Sequence, residues 1–100
     1  MYDMKNLQKM KKMAQLAPKA MEAFRAFDAA VMADGALPGK VKELMAVAVA
    51  VTTQCPYCIE FHTKKAREAG ASEAELTEAV LVSAALRAGG SVTHGTHCLQ

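Results

Sequence analysis

The chain has 100 residues, 52% of them hydrophobic, and a formal net charge of +2. One domain over residues 1–100 is expected, because a chain of this length cannot divide into two cores. The apolar content excludes intrinsic disorder. A balance of 12 basic and 10 acidic residues argues against a nucleic-acid-binding protein. Since alanine and methionine supply much of the apolar content and aromatic residues only 5%, the composition favours close-packed helices.

The sequence has no segment typical of a membrane protein. Its longest uncharged stretch, from Leu44 to Ile59, has sixteen residues, fewer than the roughly 20 apolar residues that span a bilayer. The N-terminus has no apolar signal core. We therefore expect a cytoplasmic protein that binds no membrane. In that compartment three cysteines indicate catalysis, redox chemistry or metal binding rather than a disulfide framework.

The first part of the chain predicts two amphipathic helices. From Asp3 to about Leu16, apolar residues recur at steps of three and four, with lysines on the other side. Pro18 suits the first turn of a second helix, and Gly35 suits its end. The apolar stripe of this second helix consists of Met21, Phe24, Phe27, Ala30 and Val31.

The third segment, from Pro38 to about Thr53, is ambiguous. Residues 44–51 are apolar throughout, so their periodicity does not separate a buried helix from a buried strand. The valines and their alternation favour a strand. The length of the segment, its alanine content and its helical flanks favour a helix.

A fourth helix is predicted from about Cys55 or Pro56 to Ala69. Gly70 follows it directly, in the position where glycine commonly ends a helix.

Ser72 and Glu75 form a capping box that opens a fifth helix. The consecutive glycines Gly89 and Gly90 are expected to stop it. Residues 91–100 then form either a loop or a last turn of helix. The predicted apolar face of the fifth helix includes Leu76, Ala79, Val80, Ser83 and Ala84.

The residues with the clearest chemistry are Cys55 and Cys58, separated by Pro56 and Tyr57. Two intervening residues allow the sulfurs to close a disulfide in the first turn of the fourth helix. The free N–H groups and the dipole of a helix N-terminus stabilise a thiolate there. His62 lies four residues after Cys58 and therefore shares its helix face. An imidazole in that position can take the thiol proton and later return it to a leaving group.

Metal binding is the alternative interpretation of the same residues. His94, His97 and Cys98 near the C-terminus could join Cys55, Cys58 and His62, which gives six candidate ligands. Zinc sites usually enclose their ligands with short loops. Here a whole predicted helix separates the two groups, which makes the metal interpretation the weaker one.

The pattern around the cysteines extends further in both directions. It reads E-x11-C-P-Y-C-x3-H-x3-A-x3-G, from Glu43 through His62 and Ala66 to Gly70. The C-P-Y-C motif is also typical of glutaredoxin-like redox proteins. Their fold does not fit this chain, because no proline follows Cys58 and residues 59–88 are predicted to be helical. The pattern resembles instead the alkylhydroperoxidase D-like branch of the carboxymuconolactone decarboxylase family, over about residues 20–95.

The resemblance implies an all-α domain of five to six helices that assembles into a symmetric oligomer, a trimer or hexamer. It implies that Cys58 attacks a hydroperoxide, that Cys55 closes the disulfide, and that His62 and Glu43 relay protons. It also implies an external dithiol or redox protein as reductant and no bound cofactor. Without the resemblance, Glu43 would be read as an exposed residue of the first helical turn.

One position departs from the family pattern: Tyr57 stands where alkylhydroperoxidase D commonly has a histidine. Lactone decarboxylation of the γ-carboxymuconolactone type is a further alternative. It is the weaker one, since the decarboxylases of the family generally lack the cysteine pair.

Overall fold

The computed structural model describes residues 2–100, which form five α-helices, two short 3₁₀ helices and no strand. The α-helices are α1 (Met10–Leu16), α2 (Pro18–Met32), α3 (Gly39–Thr53), α4 (Pro56–Glu68) and α5 (Glu73–Gly95). The 3₁₀ helices are Met4–Lys9 and Thr96–Cys98. The all-α prediction is confirmed, and the ambiguous apolar run of residues 44–51 is helical.

The N-terminal helices differ in detail from the prediction. The single helix expected from Asp3 is a 3₁₀ helix followed by α1, and the Asp3 carboxylate caps it by accepting the N–H of Lys5 at 2.9 Å. Pro18 opens α2, as predicted. The expected end at Gly35 is wrong, because α2 stops at Met32 and Ala33 leaves the helix with extended backbone angles.

The core lies where α3, α4 and α5 meet. Val47 of α3, Ala66 of α4 and Leu76 of α5 are buried together, and the half-buried Leu44 packs against them. Ala66 is 0% exposed. A methyl side chain at this position allows α3 and α4 to pack closely. The cysteine motif lies at the turn between these two helices.

The turn between α4 and α5 follows its predicted chemistry. Gly70 has a φ of +94°, a left-handed conformation that glycine adopts at little cost. The Ala71 N–H donates to the Ala66 carbonyl and the Gly70 N–H to the Arg67 carbonyl, each at 2.9 Å. This pair of bonds is the Schellman arrangement that ends a helix.

The start of α5 is also as predicted, but its end is not. The Ser72 hydroxyl accepts the N–H of Glu75 at 3.1 Å, and the Glu75 carboxylate accepts the N–H of Ser72 at 2.9 Å. The predicted stop at Gly89 and Gly90 is wrong, since α5 continues to Gly95. A helix-interior glycine costs only about 1 kcal/mol relative to alanine, which the rest of a 23-residue helix tolerates.

Much apolar surface remains uncovered in the single chain. The Cα radius of gyration is 16.7 Å, against about 13 Å for an average domain of this length. The predicted stripe of α2 is not a core face, since Phe24 is 55% and Phe27 63% exposed. On α5, Leu86 is 69% exposed. No helix within residues 2–100 is long and apolar enough to cross a membrane.

Candidate active site

The turn from α3 to α4 positions the cysteine motif. Gln54 ends α3 with a φ of 56° and a ψ of 45°, a left-handed conformation that non-glycine residues adopt rarely. The Cys55 N–H then donates to the Ala50 carbonyl at 3.1 Å. This reversal makes Cys55 the N-cap of α4 and Pro56 its first residue. The backbone thus places one sulfur directly at a helix N-terminus.

The two sulfurs face each other as free thiols. Cys55 Sγ and Cys58 Sγ lie 3.0 Å apart, and the Cys58 N–H donates to Cys55 Sγ at 3.4 Å. A disulfide bond of about 2.05 Å would require the sulfurs to approach by roughly 1 Å. Cys58 is exposed and Cys55 half-buried. A solvent-borne oxidant can therefore reach Cys58.

The two thiols differ in acidity. The pKa of Cys55 is lowered, mainly by a hydrogen bond from the Cys58 thiol and also by the Cys58 and Tyr57 backbone N–H groups. The pKa of Cys58 is raised, mainly because its proton is held by Cys55 and also because its sulfur is partly desolvated. In the dithiol state the stabilisation by the helix N-terminus goes to Cys55, the N-capping residue, because the N–H groups of the first turn point at that sulfur.

Glu43 and His62 form a pair beside the cysteine turn. The distance from Glu43 Oε2 to His62 Nδ1 is 2.7 Å, and the two side chains are 13% and 19% exposed. The contact joins the start of α3 to the second turn of α4. A carboxylate on Nδ1 favours the tautomer with hydrogen on that nitrogen, which leaves Nε2 as a proton acceptor. The ring of Phe61 meets the imidazole edge-on, with centroids 5.1 Å apart.

The predicted pairing of His62 with Glu43 is thus present, while the pairing of His62 with Cys58 is not made directly. The imidazole uses Nδ1 for Glu43, and within residues 2–100 no hydrogen bond joins it to either sulfur. Cys58 and His62 still lie one turn apart on α4. The base and the thiol are neighbours on the helix that come together only through a side-chain movement or an intervening molecule.

The N-terminal 3₁₀ helix supplies contacts that the sequence did not predict. The Asn6 side-chain amide donates to the Tyr57 hydroxyl at 3.0 Å, and the rings of Tyr2 and Tyr57 have centroids 5.8 Å apart. No local spacing pattern signals a contact between residues 51 positions apart, so this link was not visible in the sequence.

Within residues 2–100, no hydrogen bond or ion pair joins the C-terminal candidates to Cys55, Cys58 or His62. His94 lies in the last turn of α5, and His97 and the exposed Cys98 belong to the final 3₁₀ helix. Among residues 2–100, no group of three or more His, Cys, Asp or Glu side chains is placed to hold a metal ion. The six predicted metal ligands therefore do not form one site in this structure.

Comparison with known proteins gives a result that agrees with this geometry. The family model described as the carboxymuconolactone decarboxylase family matches residues 18–100. The chain belongs to this family. The match includes α2 to α5 and the cysteine turn, whereas the N-terminal segment that contacts Tyr57 lies outside it.

Solved structures of similar proteins share the fold. A protein from Methanobacterium thermoautotrophicum has a TM-score of 0.82 and 34% identity, covering 88% of this chain and 99% of that one. A carboxymuconolactone decarboxylase family protein from Legionella pneumophila, solved in its apo form, has a TM-score of 0.78 and 33% identity, covering 90% and 80% of the two chains.

Curated relatives are matched over part of their length. "Uncharacterized protein 4 in cox locus" of Paracoccus denitrificans is 51% identical over 69 residues, which are 69% of this chain and 62% of that protein. An uncharacterized protein of Cupriavidus necator is 36% identical over 70 residues, which are 70% of this chain and 62% of that protein. The chain thus spans less than two thirds of these relatives.

Proposed function

We propose that this family member is a thiol-dependent peroxidase, a dithiol–disulfide oxidoreductase whose oxidant is a hydroperoxide. The observation that carries the proposal is the pair of free thiols 3.0 Å apart at the N-terminus of α4. Two thiols this close can give two electrons to an acceptor and are themselves oxidised to a disulfide. The Glu43–His62 pair, one helical turn away, supports proton transfer as part of the same reaction.

In the first step Cys58 attacks the hydroperoxide. Loss of one proton from the pair leaves the charge mainly on Cys55, because the pKa of Cys55 is lowered and that of Cys58 is raised. When the proton moves to Cys55, Cys58 becomes a thiolate, and its exposure gives it access to the substrate. Its sulfur forms a bond to the terminal peroxide oxygen, the O–O bond breaks, and an alkoxide leaves. Cys58 is then a sulfenic acid.

In the second step Cys55 resolves the sulfenic acid. The Cys55 sulfur attacks Cys58 Sγ, the S–O bond breaks, and the hydroxide leaves as water with the proton that Cys55 carried. The products are an alcohol, a water molecule and the Cys55–Cys58 disulfide. The two electrons come from the dithiol, and an external dithiol or redox protein restores both thiols by exchange.

His62 and Glu43 transfer the remaining proton of the reaction. The alkoxide that leaves in the first step must be protonated, and an imidazolium can supply that proton. Glu43 holds the ring through Nδ1, as a carboxylate does for the histidine of a nucleophile–base–acid chain. Nε2 is then the atom that exchanges protons with the substrate. No bound cofactor is needed.

The experiment for this proposal is a turnover assay. The chain is mixed with an organic hydroperoxide and excess dithiothreitol, and hydroperoxide loss is followed over many equivalents of protein. Sustained consumption that stops when the thiols are alkylated supports the proposal. Decarboxylation of a carboxymuconolactone that is unaffected by alkylation, with no hydroperoxide loss, would instead assign the alternative chemistry in the family's name.

The proposal includes a cytoplasmic homo-oligomer, a trimer or hexamer. The exposed aromatic and aliphatic side chains of α2 and α5 form the kind of apolar surface that protein–protein interfaces cover. The buried core of the single chain is small, and its apolar members are Val47, Ala50, Ala66, Ala71 and Leu76. Light scattering should therefore give a mass of several times 10.7 kDa, and a stable monomer at micromolar concentration would contradict this part.

A further inference from the structure

The C-terminal end of α5 brings two imidazoles together away from the cysteine turn. His94 Nδ1 and His97 Nε2 lie 3.3 Å apart, and both side chains are exposed. This distance is longer than the roughly 2.9–3.0 Å common for hydrogen bonds from N–H donors. It agrees with a second arrangement: two nitrogens bound at about 2.0–2.1 Å to one tetrahedral zinc ion lie about 3.3 Å from each other.

The backbone explains why these two side chains meet. The α-helix continues after Gly95 as the 3₁₀ helix Thr96–Cys98, and residues three apart are neighbours on a helix surface. The Thr96 hydroxyl donates to the Thr93 carbonyl at 2.7 Å, and the Leu99 N–H donates to the Thr96 carbonyl at 3.1 Å. These bonds hold the turn that aligns the two rings.

We propose that His94 and His97 chelate a divalent late transition-metal ion such as Zn²⁺, through Nδ1 and Nε2 respectively. Neutral imidazole is the side chain these ions bind most commonly. Residues 88–100 contain no Lys or Arg, so no cationic side chain of this segment repels the ion. With two protein ligands, water completes the coordination, which leaves open positions. The site uses none of the residues assigned to peroxide reduction.

The test must separate this site from the thiol pair, since thiolates also bind zinc. Isothermal titration with ZnCl₂, under reducing conditions and in a non-coordinating buffer, would compare four full-length proteins: the wild type, His94→Gln with His97→Gln, Cys55→Ser with Cys58→Ser, and Lys64→Gln as a surface control. Circular dichroism checks that each variant keeps its helix content.

We expect a binding event that persists in the cysteine variant and in the surface control. Loss of a directly bound imidazole should weaken it in the histidine variant by more than the about 10–100-fold that loss of a supporting partner costs. The proposal is overturned if zinc binding is lost in the cysteine variant and kept in the histidine variant, if it is equal in all four proteins, or if no saturable binding occurs. All of these readouts are independent of peroxidase activity.

Discussion

The cysteine turn and the C-terminal tail contain the same residue types in different surroundings. In the turn, Cys55 and Cys58 lie at the N-terminus of a helix, and His62 is half-buried beside a carboxylate. In the tail, His94 and Cys98 are exposed at the end of α5. The difference shows that a thiol or an imidazole acquires redox or proton-transfer chemistry from its neighbours. Substitutions of the thiols and imidazoles in the turn should therefore have larger effects than substitutions of the same residue types in the tail.

The largest expected effect is at the cysteines. Cys58→Ser should abolish hydroperoxide turnover, because neither the sulfenic acid nor the disulfide can form. Cys98→Ser should leave turnover nearly unchanged, since that thiol lies outside the pair. Both are measured as hydroperoxide consumption with excess dithiothreitol. If Cys98→Ser is the more damaging change, the tail belongs to the active site.

The second-largest difference in turnover is expected between variants of His62 and His94. His62→Ala is expected to lower turnover by about 10²–10⁴-fold, the usual contribution of a general acid–base group, and His94→Ala should have little effect. Glu43→Gln should also lower turnover, because it removes the charge that holds the His62 ring.

The losses at His62 and Glu43 should not add, since both residues act in one relay. The double variant should resemble the worse single variant in its pH–rate profile. Fully additive losses would show that Glu43 acts separately, for example by holding the start of α3.

The acidity of Cys55 gives a smaller, pH-dependent effect. Its pKa is lowered chiefly by the Cys58 thiol, so in the wild type Cys55 loses its proton at a lower pH than an ordinary thiol, whose pKa is about 8.5. Cys58→Ala removes that donor and should shift the pH profile of iodoacetamide labelling at Cys55 upward. Cys98, in the same chain, is the internal reference. An unshifted profile would mean that the helix N-terminus alone stabilises the thiolate.

The smallest expected effect concerns two glycines. Gly70→Ala should destabilise the fold by about 1–2 kcal/mol, because alanine is strained at positive φ, and Gly70 has a φ of +94°. Gly89→Ala should stabilise by about 0.5–1 kcal/mol, because it lies inside a helix and an added Cβ meets nothing within 4 Å. Thermal unfolding measures both changes. Stability changes of the same sign in both variants would contradict an α4 that ends before Gly70 and an α5 that continues past Gly89.

Local patterns predicted the parts of the fold that depend on local chemistry. The capping box at Ser72 and the glycine end at Gly70 are properties of a few adjacent residues, and the structure has both. The end of α5 was predicted wrongly because a helix-interior glycine costs little relative to the stability of a long helix. That stability depends on the whole helix and not on the residues next to the glycine. The predicted apolar stripe of α2 is largely exposed, and amphipathicity does not reveal whether the surface that covers such a stripe belongs to the same chain.

The candidate site likewise has features that local sequence predicts and features that depend on distant residues. The closeness of Cys55 and Cys58 follows from their spacing. The pairing of Glu43 with His62 joins two helices and was expected only through the family resemblance. The contact of Asn6 with Tyr57 has no sequence signal. The greater acidity of Cys55 depends on which sulfur accepts the hydrogen bonds of the pair and of the first turn, which residue spacing does not predict.

The most direct test of the central claim is a mass measurement after one equivalent of hydroperoxide. Trypsin cleavage after Lys42 and Lys64 leaves both Cys55 and Cys58 on the peptide of residues 43–64, and Cys98 on a separate peptide. The account predicts that the peptide of residues 43–64 loses two hydrogens and that the Cys98 peptide keeps its free thiol. Oxidation confined to Cys98, or an unchanged 43–64 peptide, would contradict it.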